Sequence, residues 1–205
     1  ATAAVVAHKW PGFVFTGSMS EAEKDRMLEE TSVIHAMEQI DADGTVHYFG
    51  KDGREELVLS AEEAAAYQQQ QIAAHDRAVC QSTTLVDVST MPFIPNSVTE
   101  LAVDADGHFA EFAFGNAHMV LLYPENSTGF DLRTGDTVTI SLDADARGSL
   151  GFGLFKDGIY VSEEVVSAQG HLYTFKIEED GRYCFFVENC SAGMYICTDG
   201  SLTVN

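Results

Sequence analysis

The sequence predicts an α+β chain: N-terminal helices with a small antiparallel meander over residues 1–82, then an antiparallel β-sandwich of jelly-roll type over residues 83–205. Three observations carry this. From Gly135-Asp-Thr-Val-Thr-Ile-Ser-Leu142 to Gly200-Ser-Leu-Thr-Val-Asn205, apolar and polar residues alternate in short runs between glycine turns, as half-buried strands require. Two capping boxes, Ser20-Glu-Ala-Glu23 and Ser60-Ala-Glu-Glu63, mark helix starts upstream, because each hydroxyl can hold an N3 amide while the glutamate reaches back to the cap. After Ser82 the composition turns to strand and turn residues, with Pro92 and Pro95 in a connecting loop, which places a domain boundary nearby. With 205 residues and 45% hydrophobic content, the chain can bury one large core or two modest ones.

In chain order, Trp10-Pro11-Gly12-Phe13 lies in an extended segment, since proline and glycine oppose a helix there. A short helix from about 21 to 30 follows the first capping box. The turn signals Asp41-Ala-Asp43-Gly44 and Lys51-Asp52-Gly53 then divide residues 32–40, 45–50 and 54–59 into a meander. The competing reading is a longer first helix with Met27, Ile34 and Met37 on one face. The second capping box opens a helix with Glu62 and Glu63 at its positive end and Arg77 in its last turn, and Ala65, Ile72 and Val79 form its expected apolar stripe. Further strands are expected at 98–103, 107–114, 117–123, 137–142, 149–155, 159–166, 170–177, 182–188, 193–198 and 200–204. Parity directs Val138, Ile140 and Leu142, Tyr173, Phe175 and Ile177, and Tyr183, Phe185 and Val187 inward.

The stretch Gly170-His-Leu-Tyr-Thr-Phe-Lys-Ile-Glu-Glu-Asp-Gly-Arg-Tyr-Cys-Phe-Phe-Val-Glu-Asn189, with the closing Gly200-Ser-Leu-Thr-Val, resembles bacterial pre-peptidase C-terminal domains and related secreted β-sandwiches. The likeness covers about a third of the chain. It implies a secreted or cell-surface setting and an accessory role in binding or adhesion, and it carries over no catalytic residue.

Charge narrows the partners. Residues 1–82 hold 14 acidic and 6 basic side chains and residues 83–205 hold 18 and 5, so both parts are acidic within a net charge of −21. Nucleic acid is excluded as an expected partner, because phosphate binding draws on Lys and Arg, and anionic membrane surfaces are disfavoured for the same reason. No apolar run reaches the ~20 residues of a membrane-spanning helix. The start at Ala1 fits either a processed terminus or a chosen boundary.

Cys184, Cys190 and Cys197 crowd together, with Cys80 far upstream. If 182–188 and 194–198 form a hairpin, one register sets Cys184 opposite Cys197. Two readings then stand, a cross-strand disulfide and buried free thiols. Zinc is disfavoured, since the C-x5-C-x6-C spacing lacks a C-x2-C knuckle.

Asp-Ala-Asp occurs at 41–43, 104–106 and 143–145. Paired carboxylates in turns suit calcium, which makes Asp104, Asp106, Asp143 and Asp145 candidate ligands. The EF-hand pattern fails from Asp41, where Val46 and Asp52 fill the glycine and glutamate places, and from Asp104, where Phe109 and Gly115 do; a plain Asp-Gly turn is the competing reading.

The seven histidines show no H-E-x-x-H, Gly148-Ser-Leu-Gly151 is no G-x-S-x-G elbow, and Cys80 sits in acidic surroundings that would raise a thiol pKa. Gly148, Gly151 and Gly153 fall in strand sequence and are expected to permit a bulge or close strand approach, rather than to cradle phosphate. A carbohydrate surface would use aromatics in loops or near strand ends, for which Trp10, Tyr123, Phe130 and Tyr160 are the candidates. The expected function is a secreted, non-catalytic binding module, carbohydrate-directed or calcium-stabilised, with a glycan or a secreted protein as partner. The alternatives are a hydrolase using a carboxylate pair and an inhibitory or structural partner of another secreted protein.

Overall fold

The computed structural model describes residues 4–7, 14–16, 37–50, 52–144, 148–167, 171–192 and 194–205. Two compact units emerge, Ala1–Pro11 with Arg26–Arg77 and Gly12–Asp25 with Ala78–Asn205, so the division falls within a helix. The strands before that helix are β1 (Ala4–Ala7), β2 (Val14–Thr16), β3 (Met37–Ile40), β4 (Val46–Phe49) and β5 (Glu55–Leu59), and the helix is α1 (Ala61–Cys80).

In the first unit, β1, β3, β4 and β5 form an antiparallel sheet in that order. The Asp-Gly signals set its turns. Gly44 takes φ +89° while Asp43 accepts the Thr45 N–H at 3.0 Å, and Gly53 takes φ +74°. Both need the left-handed backbone that glycine adopts without a Cβ clash. The expected helix from 21 to 30 lies outside the described residues, and Met37 is strand, which removes it from a longer helix. The capping box at α1 forms as expected: Glu63 accepts the Ser60 N–H at 3.0 Å, and Ser60 Oγ faces the Glu63 N–H at 3.4 Å. Of the expected stripe, only Val79 is buried. Ala65 and Ile72 are exposed, and the helix instead buries Ala64 and rests Tyr67 on Val46 and Tyr48, with the two tyrosine rings edge to face at 5.4 Å. A three-residue step follows the 3.6-residue turn and keeps these two on one face, whereas the seven-residue line meets a core only at Val79.

The second unit contains β2, a 3-10 turn (Val88–Thr90) and strands β6 (Ser97–Val103), β7 (His108–Phe109), β8 (Phe112–Phe114), β9 (His118–Pro124), β10 (Phe130–Leu132), β11 (Thr137–Ala144), β12 (Ser149–Lys156), β13 (Ile159–Ser167), β14 (Leu172–Lys176), β15 (Gly181–Asn189) and β16 (Tyr195–Val204). They join one large curled sheet along the path β13-β12-β15-β9-β6-β7-β16-β11-β14, with β10 beside β15 and β8 between β2 and β16. The pairs are antiparallel except β6 with β9, which run parallel from Ser97↔His118 to Val103↔Pro124. The chain is therefore mostly β, with α1 the single α-helix among the described residues, and the strands of the second unit hydrogen-bond as one sheet.

Parity works where it was applied. Val138, Ile140, Leu142, Phe175, Ile177, Tyr183, Phe185 and Val187 are buried in one inner cluster, with Tyr173 packed against it. Alternate residues on β9, β12 and β15 meet a second cover. Met119, Leu121, Phe155, Cys184 and Phe186 pack with Val79, Val86, Val88 and Met91, so residues 79–91 close the outer face of these strands. This double burial explains why β9 reads as the unbroken apolar run Met-Val-Leu-Leu.

The expected hairpin carrying Cys184 and Cys197 does not form. β15 pairs with β12, β9 and β10, whereas β16 pairs with β11, β7 and β8. Asn189 anchors the crossing between them: its Nδ2 donates to the Phe114 carbonyl at 3.1 Å and its Oδ1 accepts the Ser191 N–H at 2.9 Å. Cys184 consequently stands opposite Phe155 in the outer cluster and Cys197 opposite Phe112 in the inner one, and all four cysteines are free.

Candidate functional site

An open groove of about 1130 Å³ lies within the second unit. Three local features shape it. The β12–β13 turn places Asp157 at φ +51° and Gly158 at φ +83°, a pair of positive φ angles that matches the right-handed twist of a hairpin. The Gly158 carbonyl accepts the Asp87 N–H at 2.7 Å, which ties the segment after α1 to that turn. Arg182 at the start of β15 then crosses to β10, where its Nε meets Asp131 at 3.3 Å and its Nη1 donates to Thr128 Oγ1 at 3.2 Å.

The groove presents four aspartates, Asp87, Asp131, Asp157 and Asp180, and two arginines, Arg133 and Arg182, around apolar patches from Leu85, Val86, Leu132 and Ile159. Asp180 accepts both the Thr134 N–H and its hydroxyl, at 2.8 and 2.9 Å, and these bonds hold its carboxyl below the ordinary aspartate range. Cys80 and Cys184 also line the groove. Burial pushes the Cys184 thiol up to about 11, so at neutral pH it is no thiolate nucleophile.

The sequence candidates that are described lie elsewhere. Trp10 falls outside the described residues. Tyr123 and Tyr160 are half-buried against the outer cluster, and Phe130 is half-buried against the inner one, 5.8 Å from Phe185. None of these three is among the residues that line the groove. Asp104 shapes the β6–β7 turn, where one oxygen accepts the Asp106 and His108 N–H groups at 2.9 and 2.8 Å beside Gly107 at φ +88°. It also lines a smaller hollow of about 350 Å³ with His108 and Glu125. Asp106 is exposed, Asp143 stands across from Asp199 next to a register shift, and Asp145 lies outside the described residues. Among the described residues, no three His, Cys, Asp or Glu side chains gather into a metal-holding group.

A carboxylate pair that sequence reasoning missed lies on β13 and β15. Glu188 pairs across the sheet with Gly151, whose missing Cβ leaves room for the Glu163 carboxylate, and Cys190 Sγ points to that carboxylate at 3.8 Å. Burial first, and then the charge of Glu163, raise Glu188 to about 7; burial raises Glu163 as well. Neither lines the two hollows. The signal was present: glycines at 151 and 153 on alternate positions of one strand announce that something lies over it, as the Phe186 ring also does over Gly153. For the groove the signal was the scarcity of cations, 11 against 32 acids, which makes an arginine directly after Asp180-Gly181 conspicuous.

No family model and no curated protein matches the chain, and the likeness to pre-peptidase C-terminal domains stands without a family match. Two of the solved structures that match the chain are similar over about half of it. One is PliG of Aeromonas hydrophila, a periplasmic lysozyme inhibitor of g-type lysozyme, with TM-score 0.35 and 10% identity over 53% of this chain and 100% of that one. The other is the apo form of CBM1 of BiXyn10A, with TM-score 0.29 and 13% identity over 50% and 86%. Among the described residues, no helix is long and apolar enough to cross a membrane.

Proposed function

We propose that the chain is a non-catalytic binding module whose groove around Arg182 takes a carbohydrate, in the secreted or cell-surface setting that its C-terminal likeness implies. The reading rests on the chemistry of the groove. Guanidinium donors, carboxylate acceptors and threonine hydroxyls line the groove together with the more open Leu85 and Ile159, a combination that suits a sugar's hydroxyl rim and apolar ring face. The observation that favours a module over a hydrolase is the separation of the carboxylates. Acid catalysis on a glycoside needs a carboxyl with a raised pKa facing the ligand. Glu163 and Glu188 are raised but lie away from the groove, while Asp180 within it is held low. Arg182→Ala should weaken glycan binding on an array and in calorimetry by about tenfold or more while the circular dichroism stays unchanged. Turnover of a saccharide by the unmodified protein, lost in Glu188→Gln, would overturn the reading in favour of the hydrolase.

A further inference from the structure

The curled sheet has two ends, and they are finished differently. β14 at one end is five residues long and closes on Lys176. β13 at the other is nine residues long, Ile-Tyr-Val-Ser-Glu-Glu-Val-Val-Ser, with neither lysine nor proline. Among the described residues its one strand neighbour is β12. Folded proteins blunt such edges with lysine, proline, bulges or a covering segment, because a free row of N–H and C=O groups is a template for another strand. Here the cover is partial. Thr90 Oγ1 accepts the Tyr160 N–H at 2.9 Å and the Asp87 N–H reaches the Gly158 carbonyl, so the 3-10 turn closes the start of the strand, next to the register shift at Leu154/Phe155. From Val161 to Ser167 no such cover is seen among the described residues, and Val161 and Val165 are 52% and 59% exposed. Of the two glutamates that could guard this stretch, Glu163 folds back over Gly151 and only Glu164 is exposed.

We infer that Val161–Ser167 is a docking edge that accepts an extended, lysine- or arginine-rich segment of a partner protein as an added strand. Main-chain pairing gives the affinity and the exposed valines give side-chain contact, as in strand addition generally. Charge selects the partner. Glu164 is exposed on the edge, Glu163 lies beside it over Gly151, and the chain carries −21 overall. A second copy pairing antiparallel would set glutamates against glutamates and one strongly acidic body against another, whereas a basic strand meets opposite charge throughout. This surface is separate from the Arg182 groove, so a protein that binds no glycan leaves it untouched.

The test uses the full chain and three end-blocked heptapeptides that alternate with valine: lysine–valine, glutamate–valine, and the lysine–valine peptide N-methylated at every second residue. Fluorescence anisotropy at low salt should show the lysine–valine peptide bound at least about tenfold more tightly than either of the others. Bound peptide should slow amide hydrogen exchange at 161–167. Val161→Lys with Val165→Lys changes two exposed positions and should weaken binding about tenfold while the melting temperature holds. Net charge alone would hold the methylated and unmethylated basic peptides equally, so equal binding overturns the inference. So does protection confined to other strands, or a protein that sediments as a β13-paired dimer and excludes the peptide.

Discussion

β9 and β13 belong to one sheet and are both rich in valine, leucine and isoleucine, yet one is sealed and the other is open. β9 runs through the middle with Val120 and Leu122 against the inner cluster and Met119 and Leu121 against the outer one. β13 ends the sheet, and its valines at 161 and 165 face solvent. Cover, not composition, separates them: residues 79–91 lie over the outer face of β9, β15 and β12 but reach β13 only at its first residues. An apolar strand is a core element or an interaction surface according to what the rest of the chain lays on it.

The strongest way to break this contrast is to truncate the same kind of side chain at both places. Leu121→Ala removes a fully buried group from the outer cluster and should cost about 2–5 kcal/mol in chemical denaturation, through lost transfer energy and a cavity that rigid strands cannot close. Val165→Ala should stay within about 0.5 kcal/mol. Equal losses would mean that β13 is covered in solution.

Next in size is the fit between β12 and the cover. A Cβ at Gly153 would collide with the ring of Phe186, itself fully buried, so the ring has no free direction to move. Gly153→Ala should destabilise the protein by about 1–3 kcal/mol although alanine suits a strand better than glycine. Adding Phe186→Leu should recover part of that loss. A neutral single substitution would show that the outer cluster is loosely packed.

Much of this was legible in the sequence. Alternation gave the inner faces of β11, β14 and β15, and Asp-Gly gave the turns at Gly44, Gly53 and Gly107. What was not legible depended on partners distant in the chain. Nothing local says that β15 and β16, five residues apart, belong to different parts of the sheet, so a hairpin and a Cys184–Cys197 contact looked natural. The parallel pairing of β6 with β9 is equally non-local. The groove was missed because it gathers residues from four separate segments, each an ordinary turn by itself, and Glu163 with Glu188 was lost among many other acids until the strands brought them together.

Glu188 tests the cover electrically. Its folded pKa of about 7 lies above the ordinary 4.5 because burial and Glu163 disfavour the charge. A raised carboxyl contributes fully below its unfolded pKa, and that contribution is lost as pH rises through the folded value, so stability should decline between about pH 4.5 and 7. Glu188→Gln should therefore raise stability by about 1–2 kcal/mol at pH 8 and change little at pH 4. A gain that is the same at both pH values would place this carboxylate in water.

The smallest effect belongs to the meander, where a charge is favoured by its partners. His47 Nδ1 lies 2.7 Å from Glu55 and Nε2 lies 3.2 Å from Asp41, and the bond to Glu55 is the main reason that its pKa is raised above 6.5. Like Glu188, it stabilises most at low pH, fully below 6.5, and the gain is lost as pH rises through the folded value. The origin is opposite, for here the protonated form carries the charge and the neighbours attract it. Salt separates the two cases, since exposed pairs are screened and buried groups much less so. The His47 Cε1–H proton, followed by NMR, should titrate above 6.5 at low salt and shift down at 1 M salt, with Glu55→Gln lowering the midpoint more than Asp41→Asn. A midpoint at or below 6.5 would mean that neither carboxylate holds the imidazole in solution.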